Sequence, residues 1–341
     1  MTKHSFQYSE IIDYSLLDNR DSIYLDMNIW IDISDQKSSL AQNVRNLLRK
    51  LVADGKIFCP LHFPLLNELN KLASDSMMTL AELMNELSLN FSYAVDFTIW
   101  GKEVGSFFNS ILSGSDPKLK LTDLYTPFIG HLETDLSFDL PDDIGKQDLH
   151  FYLEQLKSKV KKTTLPKFVA WSIEDDVLIP EGQSDKLNAE WKLAYRYAKG
   201  NRQKIKTANQ EFVISHFFLP GLRNYLGSLD SSQLARVEQY SSSLPKDSTG
   251  MAFAPIIKKM PALRNFWELV SYAPLDNQRN FTMNDLYDIE HIVIPLAYSA
   301  ALASQDKWMN HLVKMTKLEG INGCSYIPKL KDLHAYLTDN Y

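Results

Sequence analysis

The stretch Ser22-Ile-Tyr-Leu-Asp-Met-Asn-Ile-Trp-Ile-Asp-Ile33 constrains the fold most, because an apolar run there is broken by a carboxylate, an amide and a second carboxylate. Ser22 to Leu25 is β-favouring, too short for a helix and bounded by polar residues, so it reads as a short buried strand. Asp26 then stands at the carboxyl end of that strand. In an open α/β sheet the crevice beyond the strand ends is where ligands bind, so a carboxylate there is placed for chemistry. Asn28 follows as a cap for a helix starting near Ile29. An Asp between a strand and a helix is also an ordinary turn or cap residue, and the rest of the chain has to decide between the two roles.

Downstream, Leu40, Val44, Leu47, Leu48 and Leu51 recur at helical spacing, which predicts one helix from Ile29 to about Asp54, closed by Asp54-Gly55. Lys56 to Pro60 reads as a second short strand. A strand, a helix and a strand in this order make a βαβ unit, whose strands are expected to be parallel. Pro64-Leu-Leu-Asn-Glu-Leu-Asn-Lys71 opens another helix, with Pro64 suited to its first turn and Glu68 one turn in. Upstream, residues 1–20 read as a polar lead-in with one amphipathic turn around Ile11, Ile12, Leu16 and Leu17.

At 341 residues the chain exceeds the common single-domain size, so two lobes, or one core with a large insertion, are expected. From residue 73 to about 275 the strand and helix alternation gives way to helical patterns, among them Met77 to Leu89, Asn188 to Ala198 and Ser231 to Tyr240. This predicts a mostly α-helical insertion over 73–275, between the two parts, 20–72 and 276–341, of a discontinuous α/β core. A net charge of −6 gives no global basic field for a polyanion. The lysine-rich runs at 157–162 and 199–206 read as solvated faces, and the acidic positions Glu133, Asp135, Asp139, Asp142, Asp143 and Asp148 as surface. Two cysteines are too few for a disulfide scaffold or a thiolate metal site. No apolar leader and no run of about 18 apolar residues occurs, so a cytoplasmic protein without a membrane partner is expected.

From Asn284 the alternation returns. A helix from Asn284 to about Ile294 carries Asp285, Asp288 and His291 on one face, at i, i+3 and i+6, with Pro295 breaking or kinking it. Ala300 to Ser304 reads as a weak strand leading to Asp306. Lys307 to Lys317 is a helix, Cys324 to Ile327 a final strand and Pro328 to Thr338 a terminal helix. Parallel strands align their carboxyl ends, so Asp26 and Asp306 are expected to converge if their strands are neighbours, with Glu68 at the same crevice.

Gathered carboxylates repel one another by about 1 to 4 kcal/mol per close pair. With no lysines at these positions, a hard divalent cation such as Mg²⁺ or Mn²⁺, which prefers carboxylate and water oxygens, is the natural counter-charge. Such ions activate water and stabilise the leaving oxygen in phosphodiester cleavage.

The pieces Tyr24-Leu-Asp-Met-Asn-Ile-Trp30, Phe63-Pro-Leu-Leu-Asn-Glu68, Asn284-Asp-Leu-Tyr-Asp-Ile-Glu-His291 and Ser304-Gln-Asp-Lys307 resemble the acidic motifs of the PIN (PilT N-terminus-like) domain nucleases. The resemblance covers residues 20–72 and 280–320, about a third of the chain. It implies a parallel α/β/α sandwich that hydrolyses RNA, or in related branches DNA, with Mg²⁺ or Mn²⁺ held by Asp and Glu. Asp26 matches the first acid, Glu68 the second, Asp285 or Asp288 the third and Asp306 the fourth, while Asn28 matches the small polar residue beside the first. An endoribonuclease of toxin or phage-defence type, with an antitoxin or other protein partner, is the corresponding expectation. A non-catalytic PIN-like binding or regulatory protein and a DNA nuclease are the alternatives.

Overall fold

A computed structural model of the chain describes residues 2–6, 12–69, 71–128, 136–140, 154–174 apart from 156, 159 and 161, 201–242, 253–276 and 281–341. The chain divides into two compact units. The first is Met1–Val95, Lys120–Pro180 and Leu330–Tyr341; the second is Asp96–Leu119 and Glu181–Lys329. Each contains parallel strands joined through helices, so the fold is α/β.

In the first unit β1 (Thr2–Phe6) does not belong to a lead-in without structure. It pairs antiparallel with a distant strand at Leu136–Leu140, Thr2 facing Leu140 and Phe6 facing Leu136. The amphipathic turn is a 3-10 helix at Tyr14–Leu17 that buries Leu17. Strand β2 (Asp21–Leu25) follows, with Ile23, Tyr24 and Leu25 fully buried. It pairs in parallel with β3 (Ile57–Phe58) in the register Asp21 to Ile57 and Ser22 to Phe58. Arg20 clamps the crossover by donating to the carbonyls of Val52 at 2.7 Å and Ile57 at 3.1 Å.

The single helix expected over 29–54 is two helices, Met27–Asp35 and Ser39–Ala53. Gln36 takes a left-handed conformation with φ 49° and ends the first, and the Ser38 hydroxyl accepts the Ala41 N–H at 3.1 Å to start the second.

The alternation of strand and helix also does not stop at residue 73. After the helices Phe63–Leu69 and Ser74–Ser88, strand β4 (Phe91–Tyr93) runs parallel to the chain at Leu61. The Leu61 N–H donates to Phe91 at 3.1 Å and the Tyr93 N–H to Leu61 at 2.8 Å. Strand β5 (Tyr125–Pro127) then pairs antiparallel with β4, and Leu136–Leu140 is β6. Between these strands lies an aromatic core of Tyr24, Phe58, His62, Tyr93 and Tyr125, with centroid separations of 5.1 to 6.4 Å. The C-terminal helix Leu330–Asn340 packs on Ser39–Ala53.

The second unit is largely helical, and it takes in both part of the expected insertion and residues 276–329, which were expected in the α/β core. Its long helix Asp96–Ser113 lies against a continuous helical run made of Arg202–Val213, a π-helical turn at Ile214–Phe218, and Leu219–Leu226. The helix expected near Ser231 is Ser231–Ser242. Helix Pro261–Tyr272 packs on Met283–Tyr298, and Asn209 and Gln210 hold its end by donating to the Val270 carbonyl at 2.7 Å and the Ser271 hydroxyl at 2.9 Å. Pro295 does not end its helix, which runs through to Tyr298 with the Ser299 N–H donating to Pro295 at 2.8 Å. Strands β7 (Ala301–Ala303) and β8 (Ser325–Ile327) are parallel and enclose the helix Lys307–Met315 in sequence. The expected helix over 188–198, Lys199 and the acidic positions Glu133, Asp135, Asp142, Asp143 and Asp148 lie outside the described residues. Among the described residues no helix is long and apolar enough to cross a membrane.

Close packing of the first two helical layers of this unit depends on Gly221. A Cβ there would stand 3.3 Å from the backbone Cα of Gly101 and 3.2 Å from the Val104 side chain, whereas a Cβ on Gly101 meets nothing within 4 Å. Gly221→Leu is expected to cost about 1 to 3 kcal/mol by overpacking. Gly101→Ala is expected to be neutral or to stabilise by about 0.5 to 1 kcal/mol, through helix propensity. Chemical denaturation of both variants checks the contrast, and equal effects would show that the contact does not set the helix spacing.

Candidate functional site

In the first unit Asp26 follows the last residue of β2, half-buried, and is the residue before the helix Met27–Asp35. Asp26, not Asn28, therefore occupies the cap position. Asn28 is exposed in the first turn, because the helix begins two residues earlier than its apolar period suggests. The Asp26 carboxylate accepts the N–H of Met27, the next residue, at 2.8 Å. A helix-capping side chain ordinarily reaches over to the N–H of the second or third helical residue, whereas this bond of Asp26 goes to the first. Glu68 is half-buried in the short helix Phe63–Leu69 that follows β3. Glu86, in the following helix Ser74–Ser88, is bound by Arg49 at 2.6 and 3.0 Å.

In the second unit Asp306 stands beyond the end of β7 and heads the helix Lys307–Met315. It caps in the usual way, its Oδ1 accepting the Met309 N–H at 2.8 Å. Thus each unit has a parallel strand that leads into a helix through a half-buried aspartate.

Asp285 and Asp288 share the helix Met283–Tyr298 but not an environment. Asp285 is fully buried, and its Oδ2 accepts both the backbone N–H and the hydroxyl of Thr282, at 2.5 and 3.0 Å. That is the reciprocal arrangement of a capping box, with the acid at the third helical position. Asp288 and His291 are half-buried.

Three further titratable groups carry no expectation from the sequence. Glu290, two residues after Asp288, is half-buried, and burial together with the Asp96 carboxylate pushes its carboxyl up to about 8. Asp276 is almost wholly buried, accepts the Trp308 indole N–H at 3.2 Å and lies 3.5 Å from His311 Nε2. Glu103 is buried in the helix Asp96–Ser113. For Glu103 a signal was available: it lies three residues after Trp100 and four before Phe107, on the apolar face of its helix, where a carboxylate needs partners.

The chemistry of the half-buried acids suits a hard divalent cation. A carboxylate has about four lone-pair sites, so a backbone bond of the kind Asp306 makes to Met309 leaves coordinating capacity. Asp285 fits less well, since its carboxylate is buried and doubly engaged by Thr282. Among the described residues no group of three or more His, Cys, Asp or Glu is arranged to hold a metal ion. No family model, no curated protein and no solved structure matches the chain.

Proposed function

We propose that the chain is a metal-dependent nuclease of PIN-like type, acting on RNA. The observation that carries this reading is the half-buried aspartate between parallel strand and helix in each unit, Asp26 after β2 and Asp306 after β7. With each unit taken by itself, Asp26 and Glu68 in the first and Asp288 and Asp306 in the second are the carboxylates that would hold Mg²⁺ or Mn²⁺. Asp285 would act through the capping box, by fixing the start of the helix that presents Asp288. A bound ion would supply a water activated for attack on phosphorus and a counter-charge for the leaving oxygen. Around it, the carboxylates' part is to orient and hold, while Asn28, exposed two residues after Asp26, offers an amide to water or phosphate. A cytoplasmic toxin or phage-defence role with an antitoxin partner rests on fold-level analogy.

A second reading, a PIN-like binding or regulatory protein without catalysis, is favoured by two observations. Asp285 and Asp306 each have a sufficient structural role as helix-end acceptors, and among the described residues no three metal-binding side chains are grouped.

Thermal melting in a Mn²⁺ titration, with labelled single-stranded RNA, duplex RNA and DNA incubated in parallel, separates these readings. A true site raises the melting temperature by mass action, worth about 2.7 kcal/mol at a hundredfold excess over the dissociation constant, and RNA is cleaved only with the ion. Cleavage of DNA alone would redirect the proposal to a DNA nuclease. No shift at millimolar Mn²⁺ and no cleavage of any substrate would leave the binding reading standing.

A further inference from the structure

Glu103 joins three helices of the second unit. It is 3% exposed in the middle of Asp96–Ser113, and its carboxylate meets the start of Pro261–Tyr272. The Ala262 N–H donates to Oε1 at 2.7 Å and the Leu263 N–H to Oε2 at 3.0 Å. The hydroxyl of Tyr298, the last residue of Met283–Tyr298, donates to Oε1 as well. Helix Pro261–Tyr272 has no cap of its own, because Met260 at the cap position has no capping bond and Pro261 brings no N–H. A carboxyl from another helix therefore satisfies its first donors, and the pull of the positive end of the helix dipole on a negative charge there is opposed by the cost of burying that charge.

We propose that Glu103 is a proton-controlled clamp, which holds the head of Pro261–Tyr272 and the tail of Met283–Tyr298 together and loosens when it loses its proton. Protonated, the carboxyl still accepts from the backbone N–H groups and places no charge among the three helices. Ionised, it leaves a negative charge enclosed among three helices.

The charges facing it decide where the change occurs. Arg264, one turn into Pro261–Tyr272, is the opposing cation, itself drawn toward Glu268. Glu268 is in turn held by Lys258 at 2.9 Å. The neighbouring helices bring Tyr225 and Tyr240 against Phe108, and Lys259 lies 5.9 Å from the Phe107 ring, a turn away from Glu103.

Burial pushes the Glu103 carboxyl up to about 7, against the downward pull of the Tyr298 hydroxyl, the two backbone N–H groups and Arg264. An acid whose folded value lies above its ordinary value of 4.5 binds more protons in the native state between those two pH values. Its contribution is therefore fully present below the ordinary value and is lost as pH rises through about 7. Neither the clamp nor its test depends on the nuclease reading.

Hydrogen exchange of the full chain, corrected for intrinsic rates, tests the clamp between pH 5 and pH 8.5. In the wild type the opening of the amides at 262 and 263 is expected to rise at least about tenfold, the equivalent of one unit of linkage. In Glu103→Gln, which keeps an acceptor and cannot titrate, the rise is absent. In Tyr298→Phe the midpoint moves to higher pH, because a bond that favoured the ionised form is gone. A rise that persists in Glu103→Gln, or a Tyr298→Phe midpoint that stays or moves down, overturns the proposal. Should Glu103→Gln fail to fold, carboxyl-carbon NMR of wild-type Glu103 decides the matter, and a titration midpoint below pH 5 overturns it equally.

Discussion

Replacing Trp100 by alanine is expected to lower the stability of the second unit by about 3 to 5 kcal/mol, the range for removal of a large buried aromatic side chain. The indole is 2% exposed and lies 4.3 Å from Phe217, 5.6 Å from Phe97 and 5.6 Å from Phe266, whose ring is parallel to it within 8°. It thereby fastens three helical segments, one of them the π turn, with a single side chain. Alanine would remove all these contacts and leave a cavity that helices tied elsewhere cannot close. Trp100→Phe is the control. The indole Nε1 has no acceptor among the described residues, so phenylalanine discards no hydrogen bond and keeps a ring in the stack. The loss should then fall to about 1 to 2 kcal/mol. Exchange-detected denaturation of peptides from the second unit measures both. A Trp100→Ala loss below about 1 kcal/mol would remove the cluster from the core.

What was legible in the sequence follows the range of the forces involved. Strand β2 was visible because four apolar or β-favouring residues between polar ones leave little alternative, and its observed bounds, Asp21–Leu25, differ from expectation by one residue. The break between Met27–Asp35 and Ser39–Ala53 was not visible. It depends on Gln36 adopting φ 49°, and glutamine carries none of the left-handed preference that glycine or asparagine would have announced. Strand β4 has no local signature, because it has only three residues and gains its parallel partner from Leu61, thirty-one positions before Ser92. The usual local effect of Pro295 predicts a break or kink, yet the helix passes through it, because packing against Pro261–Tyr272 outweighs one missing N–H. The candidate acids were legible as positions after strands. Their different surroundings were not: burial separates Asp285 from Asp288 although their helical spacing had put them on one face. Glu103 shows the limit of local reading most clearly, since its backbone partners Ala262 and Leu263 lie 159 and 160 residues away.

The largest functional effect is expected at Asp26, where substitution by asparagine should reduce metal-dependent RNA cleavage by about a thousandfold or more, as loss of an essential catalytic group does. Asparagine is itself a good helix cap, so stability in EDTA should stay within about 0.5 kcal/mol of the wild type. Alanine at the two strand-end positions then separates structure from chemistry. Asp306 accepts the N–H of Met309, the third helical residue, at 2.8 Å, and Asp306→Ala should lose about 0.5 to 2 kcal/mol, as any ordinary cap does. Asp26 instead meets the N–H of Met27, the first helical residue, and the second turn is started by its backbone carbonyl, which accepts from Ile29 at 2.9 Å and Trp30 at 3.1 Å. A backbone carbonyl survives substitution, so Asp26→Ala should cost less than Asp306→Ala while abolishing cleavage as fully as Asp26→Asn. Chemical denaturation in EDTA and a cleavage assay in Mn²⁺ on the same preparations give both numbers. An Asp26→Ala variant that loses as much stability as Asp306→Ala yet still cuts RNA would make Asp26 a structural residue and end the nuclease reading.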